Sequence, residues 1–104
     1  MKNESEQIVF DSKTGWSLES LTFHPKHEAQ ILFHNGGTKK LYLELRGIAT
    51  PQALLVVLDG FDDFQIIKRD TGTPFAENSR YVCRFYVDDD RHETIIDEYE
   101  AYEA

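Results

Sequence analysis

The stretch from Lys40 to Arg69, KLYLELRGIATPQALLVVLDGFDDFQIIKR, decides the fold class of this chain. Leu41, Leu43 and Leu45 alternate with polar residues, which is the two-residue period of a strand with one buried face. Residues 53–58 are all apolar. Such a run is typical of a segment covered on both sides, either a central strand or a short buried helix.

Two kinds of evidence compete at residues 51–60. Thr50 and Pro51 suit the N-cap and the first position of a helix, and Gly60 suits its end. The paired valines at 56–57 and the alternation on both sides of the segment favour a strand instead. We predict a strand, with a short helix at 51–60 as the alternative.

The segment 93–102 has the same ambiguity. Ile95, Ile96, Tyr99 and Tyr102 share one face of a helix, whereas the content of Thr, Ile and Tyr suits a strand. We predict a strand that pairs with residues 80–87 through a hairpin loop at 88–92, because consecutive strands usually lie side by side. A short helix at 93–102 is the alternative.

The rest of the chain consists of short alternating segments bounded by turn residues. Asn35-Gly36 between two apolar segments is a strong hairpin signal, and the alternation slips between Leu18 and Leu21, as it does at a bulge. We predict one mainly β domain over residues 1–104, with residues 1–6 frayed, in which mostly antiparallel strands form a half-barrel or a sandwich. About eight strands are predicted, at residues 7–11, 16–23, 29–34, 40–46, 53–58, 64–69, 80–87 and 93–102.

Negative charge is concentrated near the C-terminus. The chain has 19 acidic and 11 basic residues, a net charge of −8, and residues 88–104 contain eight of the acids and one base. A negative field repels phosphate backbones and attracts basic surfaces. We therefore expect a cationic protein partner and no direct nucleic-acid binding, although solvation of a small protein is the simpler explanation of these acids.

Aromatic residues beside carboxylates are typical of a protein interface with aromatic anchors and a charged rim. Tyrosines and acids of this kind occur near the end of the apolar run and in the C-terminal part of the chain. The candidate partner-binding residues are Asp59, Asp62, Asp63, Tyr86, Asp88, Asp89, Asp90, Asp97, Glu98, Tyr99 and Glu100.

Sequence patterns for chemistry are weak in this chain. The four histidines and the aspartate clusters lack the spacing of zinc sites and of EF-hand loops, and no nucleophile elbow or phosphate-binding glycine loop occurs. Cys83 lies in the apolar row of its strand, which predicts a buried thiol. We predict no catalytic residue, no metal site and no cofactor.

Two features bear on location. No segment approaches the roughly 20 apolar residues that cross a bilayer, and the N-terminal residues MKNESEQ are polar where a signal peptide is apolar. We expect a cytoplasmic protein that does not bind membranes and is a monomer when free.

At LELRGI (43–48) and LDGFDDFQII (58–67), followed by alternating strands and an acidic C-terminal segment, the chain resembles small acidic bacterial immunity proteins of contact-dependent and polymorphic toxin systems. The resemblance implies stoichiometric binding of a cognate toxin, often a basic nuclease, whose active site is covered. Two alternatives remain: a nucleic-acid mimic that inhibits a host DNA-binding enzyme, and a metal-dependent hydrolase built on the aspartates.

Overall fold

The computed structural model describes residues 5–70 and 79–103, which form two four-stranded antiparallel sheets packed face to face. Sheet A has the strand order β1-β5-β6-β7, and sheet B has the order β2-β3-β4-β8. The mainly β class and the sandwich alternative are therefore confirmed. The strands are β1 (Ser5–Asp11), β2 (Ser17–His24), β3 (Glu28–His34), β4 (Lys40–Arg46), β5 (Asp63–Asp70), β6 (Ser79–Val87), β7 (Asp90–Ile96) and β8 (Glu98–Glu103).

Aromatic rings join the two sheets. The ring centroid of Phe33 in sheet B lies 5.3 Å from that of Phe10 and 5.9 Å from that of Phe64, both in sheet A. Phe64 in turn stacks on Phe85 of the neighbouring strand. Both sheets therefore share one core, whose buried members are Ala29, Ile31, Phe33, Leu41, Leu43, Leu45, Ile48, Leu54, Val57, Phe64, Ile66, Cys83, Phe85 and Ile96.

Local turn and bulge signals in sheet B are confirmed. The backbone N–H of Asn35 donates to the carbonyl of Lys39, and the turn joins β3 to β4 in antiparallel register. The register between β2 and β3 shifts between Leu18 and Ser20, where the sequence predicts a bulge.

The strand predicted at residues 53–58 is wrong, and the alternative is confirmed as a 3-10 helix at Pro51–Asp59. Leu54 and Val57 are buried, whereas Leu55 is 49% exposed and Leu58 is 55% exposed. The apolar run is covered on one side only, with a three-residue period that suits a 3-10 helix. The prediction failed because it assumed cover on both sides.

The C-terminal segment is extended, as predicted, but it forms two strands in different sheets. A two-residue turn at Asp88–Asp89 replaces the predicted loop at 88–92, and β7 begins directly after it. The chain then leaves sheet A at Asp97, whose N–H donates to the carbonyl of Arg46, and β8 pairs with β4. The single strand at 93–102 was wrong because this break in pairing has no local sequence signal.

Of the predicted frayed start, residues 1–4 lie outside the described residues, and Ser5 and Glu6 already belong to β1. No helix in the described part of the chain is long and apolar enough to span a bilayer.

Replacing Gly47 by Ala should destabilise the fold. Gly47 has φ of +66°, and a Cβ at this position would collide with the side chain of Asp97. We expect Gly47→Ala to lower the free energy of unfolding by roughly 2–3 kcal/mol, as backbone strain adds to the displacement of Asp97. Urea denaturation measures this loss.

The matched control is Gly36→Ala. Gly36 also has a positive φ, +84°, but a Cβ there would meet nothing within 4 Å. This variant should lose only about 1 kcal/mol, the cost of backbone strain. Equal losses in the two variants would contradict the role of the Asp97 contact.

Candidate partner-binding surface

Six of the predicted acidic residues lie at one end of sheet A. β5 begins at Asp63, opposite Tyr86 in the register, and the N–H of Asp62 donates to the carbonyl of Tyr86 over 2.8 Å. The turn between β6 and β7 lies at this same end, and the 3-10 helix ends beside it. We call this group the acidic end; it consists of Asp59, Asp62, Asp63, Asp88, Asp89 and Asp90.

A polar cleft opens at the acidic end. Its volume is about 480 Å³, and its lining includes Asp62, Asp63, Tyr86 and Asp89 together with Lys13. Carboxylates beside a phenol ring suit the binding of a guanidinium or ammonium group. The cleft therefore brings together four residues that the sequence predicts as partner contacts.

Few basic side chains of the protein itself neutralise the exposed acids of this end. Among the side chains that the structure describes, Asp59, Asp62, Asp88, Asp89 and Asp90 form no salt bridge within 4.0 Å. Lys13 lies 3.9 Å from Asp63, and its own side chain is 68% exposed. Within 4.0 Å, Lys13 is therefore the one cation among the described side chains that meets this group of acids.

The turn at Asp88–Asp89 has an uncommon backbone. Its φ values are +50° and +70°, and Val87 pairs with Asp90 across it, which is the geometry of a two-residue type I′ turn. Aspartate tolerates this left-handed conformation better than most residues, but glycine adopts it without strain. The two carboxylates thus lie at the exposed tip of the hairpin.

Asp89→Gly should stabilise the protein slightly. The substitution removes the left-handed strain at φ of +70°, and we expect a gain of roughly 0.5 kcal/mol in the free energy of unfolding. Asp90→Gly is the control, since it removes the same charge inside a strand and should cost about 0.5–1 kcal/mol. Thermal unfolding compares the two, and a loss of stability in Asp89→Gly would contradict the turn assignment.

Asp63 is less accessible than the other acids of this group. It is 4% exposed and accepts a hydrogen bond from Ser12 Oγ over 3.3 Å. Burial and the adjacent Asp11 carboxylate raise the pKa of Asp63. Burial opposes the ionisation of Asp11, yet hydrogen bonds from Asp63, the Lys13 N–H and Gln65 lower its pKa. The two carboxyl groups therefore form a pair that favours one shared proton.

The pair predicts a pH-dependent stability that Asp63→Asn should remove. The pKa of Asp63 is raised on folding, so its contribution is fully present below its unfolded pKa, near 3.8, and is lost as pH rises through the folded value. The amide of Asn can donate to Asp11 at every pH. We expect Asp63→Asn to be more stable than the wild type near pH 7, on the order of 1 kcal/mol, with a smaller advantage near pH 4.

Chemical denaturation across this pH range measures the difference between the two proteins. Asp62→Asn serves as control, because it removes a neighbouring exposed charge that takes no part in the pair. A constant difference between Asp63→Asn and the wild type at all pH values would show that Asp63 does not hold the proton.

Other predicted contacts lie at the opposite end of the strands, around Arg46. Its guanidinium group lies 3.0 Å from Glu100 and 3.8 Å from both Glu98 and Glu44. One base therefore partly neutralises three carboxylates on the outer face of sheet B. The acids at 97–100 do not form a single patch with the acidic end.

Asp97 and Tyr99 make contacts within the protein itself. The side chain of Asp97 lies against Gly47. Tyr99 points to the interior opposite Leu45, and its ring meets that of Tyr81 edge to face at 5.0 Å. Tyr99 is thus part of the core boundary and is not an exposed anchor.

An ion-pair network on sheet A had no signal in the sequence. Arg84 is only 8% exposed and donates to Glu93 over 2.6 Å and to Glu6 over 3.2 Å. Arg91 also contacts Glu93, at 2.7 Å. Burial opposes the ionisation of Glu93, but hydrogen bonds from Arg84 and Arg91 lower its pKa. Glu93 therefore contributes no free negative charge to a partner.

Cys83 is buried, as predicted, and burial raises the pKa of its thiol. Among the described residues, no group of three or more His, Cys, Asp or Glu side chains is arranged to hold a metal ion. His27 instead uses Nδ1 in a 2.8 Å hydrogen bond with the carbonyl of Ile48.

No protein-family model matches this chain. No curated protein and no solved structure shows significant similarity to it.

Proposed function

We propose that this protein binds a cationic protein partner through the acidic end and that the partner is a toxin which it neutralises. The observation that carries the proposal is the difference between the two groups of acids. Asp62, Asp88 and Asp89 form no salt bridge among the described side chains, whereas Glu93, Glu98 and Glu100 each lie near an arginine. The acidic end therefore has the stronger outward field for a basic surface.

The cleft supplies shape in addition to charge. Tyr86 lies beside Asp62 and Asp89, so a lysine or arginine of the partner can contact a ring and carboxylates at once. A nuclease active site is a basic groove shaped for phosphate, and carboxylates can occupy it. This complementarity supports a basic nuclease as the partner.

The resemblance of LELRGI and LDGFDDFQII to immunity proteins supports the toxin-neutralising class. In this proposal the protein is a free monomer in the cytoplasm and covers the active site of the incoming toxin. Electrostatic steering can bring association to roughly 10⁸–10⁹ M⁻¹s⁻¹ at low salt. Rapid capture protects a cell from a toxin that acts immediately.

The test is a comparison of two triple variants. Asp62→Asn, Asp88→Asn and Asp89→Asn together neutralise the acidic end, and asparagine retains tolerance of the left-handed turn. The control combines Glu19→Gln, Glu98→Gln and Glu100→Gln. It also removes three negative charges, but from residues outside the acidic end. With the partner captured from the producing cell, we expect the first variant to lower the association rate roughly tenfold at low salt and to reduce inhibition of the partner's activity.

The control variant should remain close to the wild type in both measurements. Equal weakening of the two variants would mean that only net charge matters, and an unaffected acidic-end variant would refute the assignment of this surface. Capture of several unrelated DNA-binding proteins in place of one toxin would favour the nucleic-acid mimic.

A further inference from the structure

Strand β8 forms an edge of sheet B. It pairs with β4 on one side, and no strand in the described ranges 5–70 and 79–103 pairs with its other side. In an antiparallel pair, alternate residues direct their N–H and C=O groups away from the partner strand. The free edge of β8 is therefore a template for one further strand.

The outer side chains of β8 set the charge that this further strand must have. Glu98 and Glu100 lie on the outer face in register with Arg46 and Glu44, so three carboxylates share one guanidinium group. The row retains a negative charge after this compensation. Tyr102 follows on the same face, and its ring stacks on Tyr42 at 5.4 Å.

The inner face of β8 is open beside the edge. Ala101 points to the interior opposite Leu43 and yet is exposed, because a cleft of about 360 Å³ separates this part of β8 from β1. Apolar side chains dominate the lining, among them Ile8, Phe10 and Trp16. Ala101 and Glu103 place the C-terminal half of β8 at the rim of this cleft.

We propose that the free edge of β8 binds an extended peptide segment in which basic residues alternate with apolar ones. The basic residues would lie opposite Glu98 and Glu100, and the apolar residues would enter the cleft beside Ala101. A second copy of this chain is a poor occupant, because antiparallel pairing of two β8 strands brings glutamates of the same sequence, EYEAYE, close together. This site is separate from the acidic end and does not depend on the function proposed above.

A capped peptide of alternating lysine and valine is the probe, and the full chain is the target. Trp16, the only tryptophan, lines the cleft, so its emission should shift when a valine enters. Hydrogen exchange should slow at the amides of β8. Glu98→Gln combined with Glu100→Gln should weaken binding roughly 3- to 10-fold at low salt.

Two controls separate strand addition from simple charge attraction. Asp62→Asn with Asp89→Asn removes two carboxylates of the acidic end, which also attracts lysine, and should weaken binding less than the Glu98 and Glu100 variant does. Peptides N-methylated either at every valine or at every lysine lack one of the two sets of edge donors, and at least one of them should lose binding. Unchanged binding of both methylated peptides, or greater loss in the acidic-end variant than in the Glu98 and Glu100 variant, would overturn the proposal.

Sedimentation of the protein alone tests whether a second copy of the chain occupies the edge of β8. The proposal expects a monomer at the concentrations used for peptide binding. Self-association with protection of the β8 amides would make a second copy the occupant and would overturn the peptide assignment.

Discussion

The packing of Phe33 against Phe64 and Phe10 is the constraint on which the other features of this protein depend. These rings belong to different sheets, and their contact fixes the distance and orientation between them. The buried face of the 3-10 helix adds Leu54 and Val57 to the same core. Protein cores are densely packed and transmit displacement. One shared set of contacts therefore holds both the acidic end of sheet A and the edge strand β8.

Sequence patterns predicted the parts of the fold that depend on neighbouring residues. The alternation of leucines in β4 and the Asn35-Gly36 turn are local signals, and both agree with the structure. The strand predicted at 53–58 was wrong because hydrophobicity does not reveal whether other residues bury a side chain. Leu55 and Leu58 remain exposed. The total of eight strands agrees only because a lost strand here is offset by the division of 93–102.

Sequence patterns predicted the candidate surface only where its residues are close together in the chain. Asp62 and Asp63 are adjacent in sequence, as are residues 88–90, and pairing of β5 with β6 brings the two groups together. The pairing of Asp63 with Asp11 and that of Arg46 with Glu100 join residues more than 50 positions apart. Such contacts follow from strand order between distant segments, which composition and spacing do not specify. The sequence therefore locates the acids along the chain but could not separate exposed ones from compensated ones.

The burial of Cys83 has a practical consequence for spectroscopy. The chain has one cysteine, and its thiol is enclosed in the core with a raised pKa, so thiolate chemistry at this position is suppressed in the folded protein. A single new thiol on the surface would react selectively with a spin label or fluorophore while Cys83 stays in place. Site-specific labels can thus report on either surface without altering the packing of the sandwich.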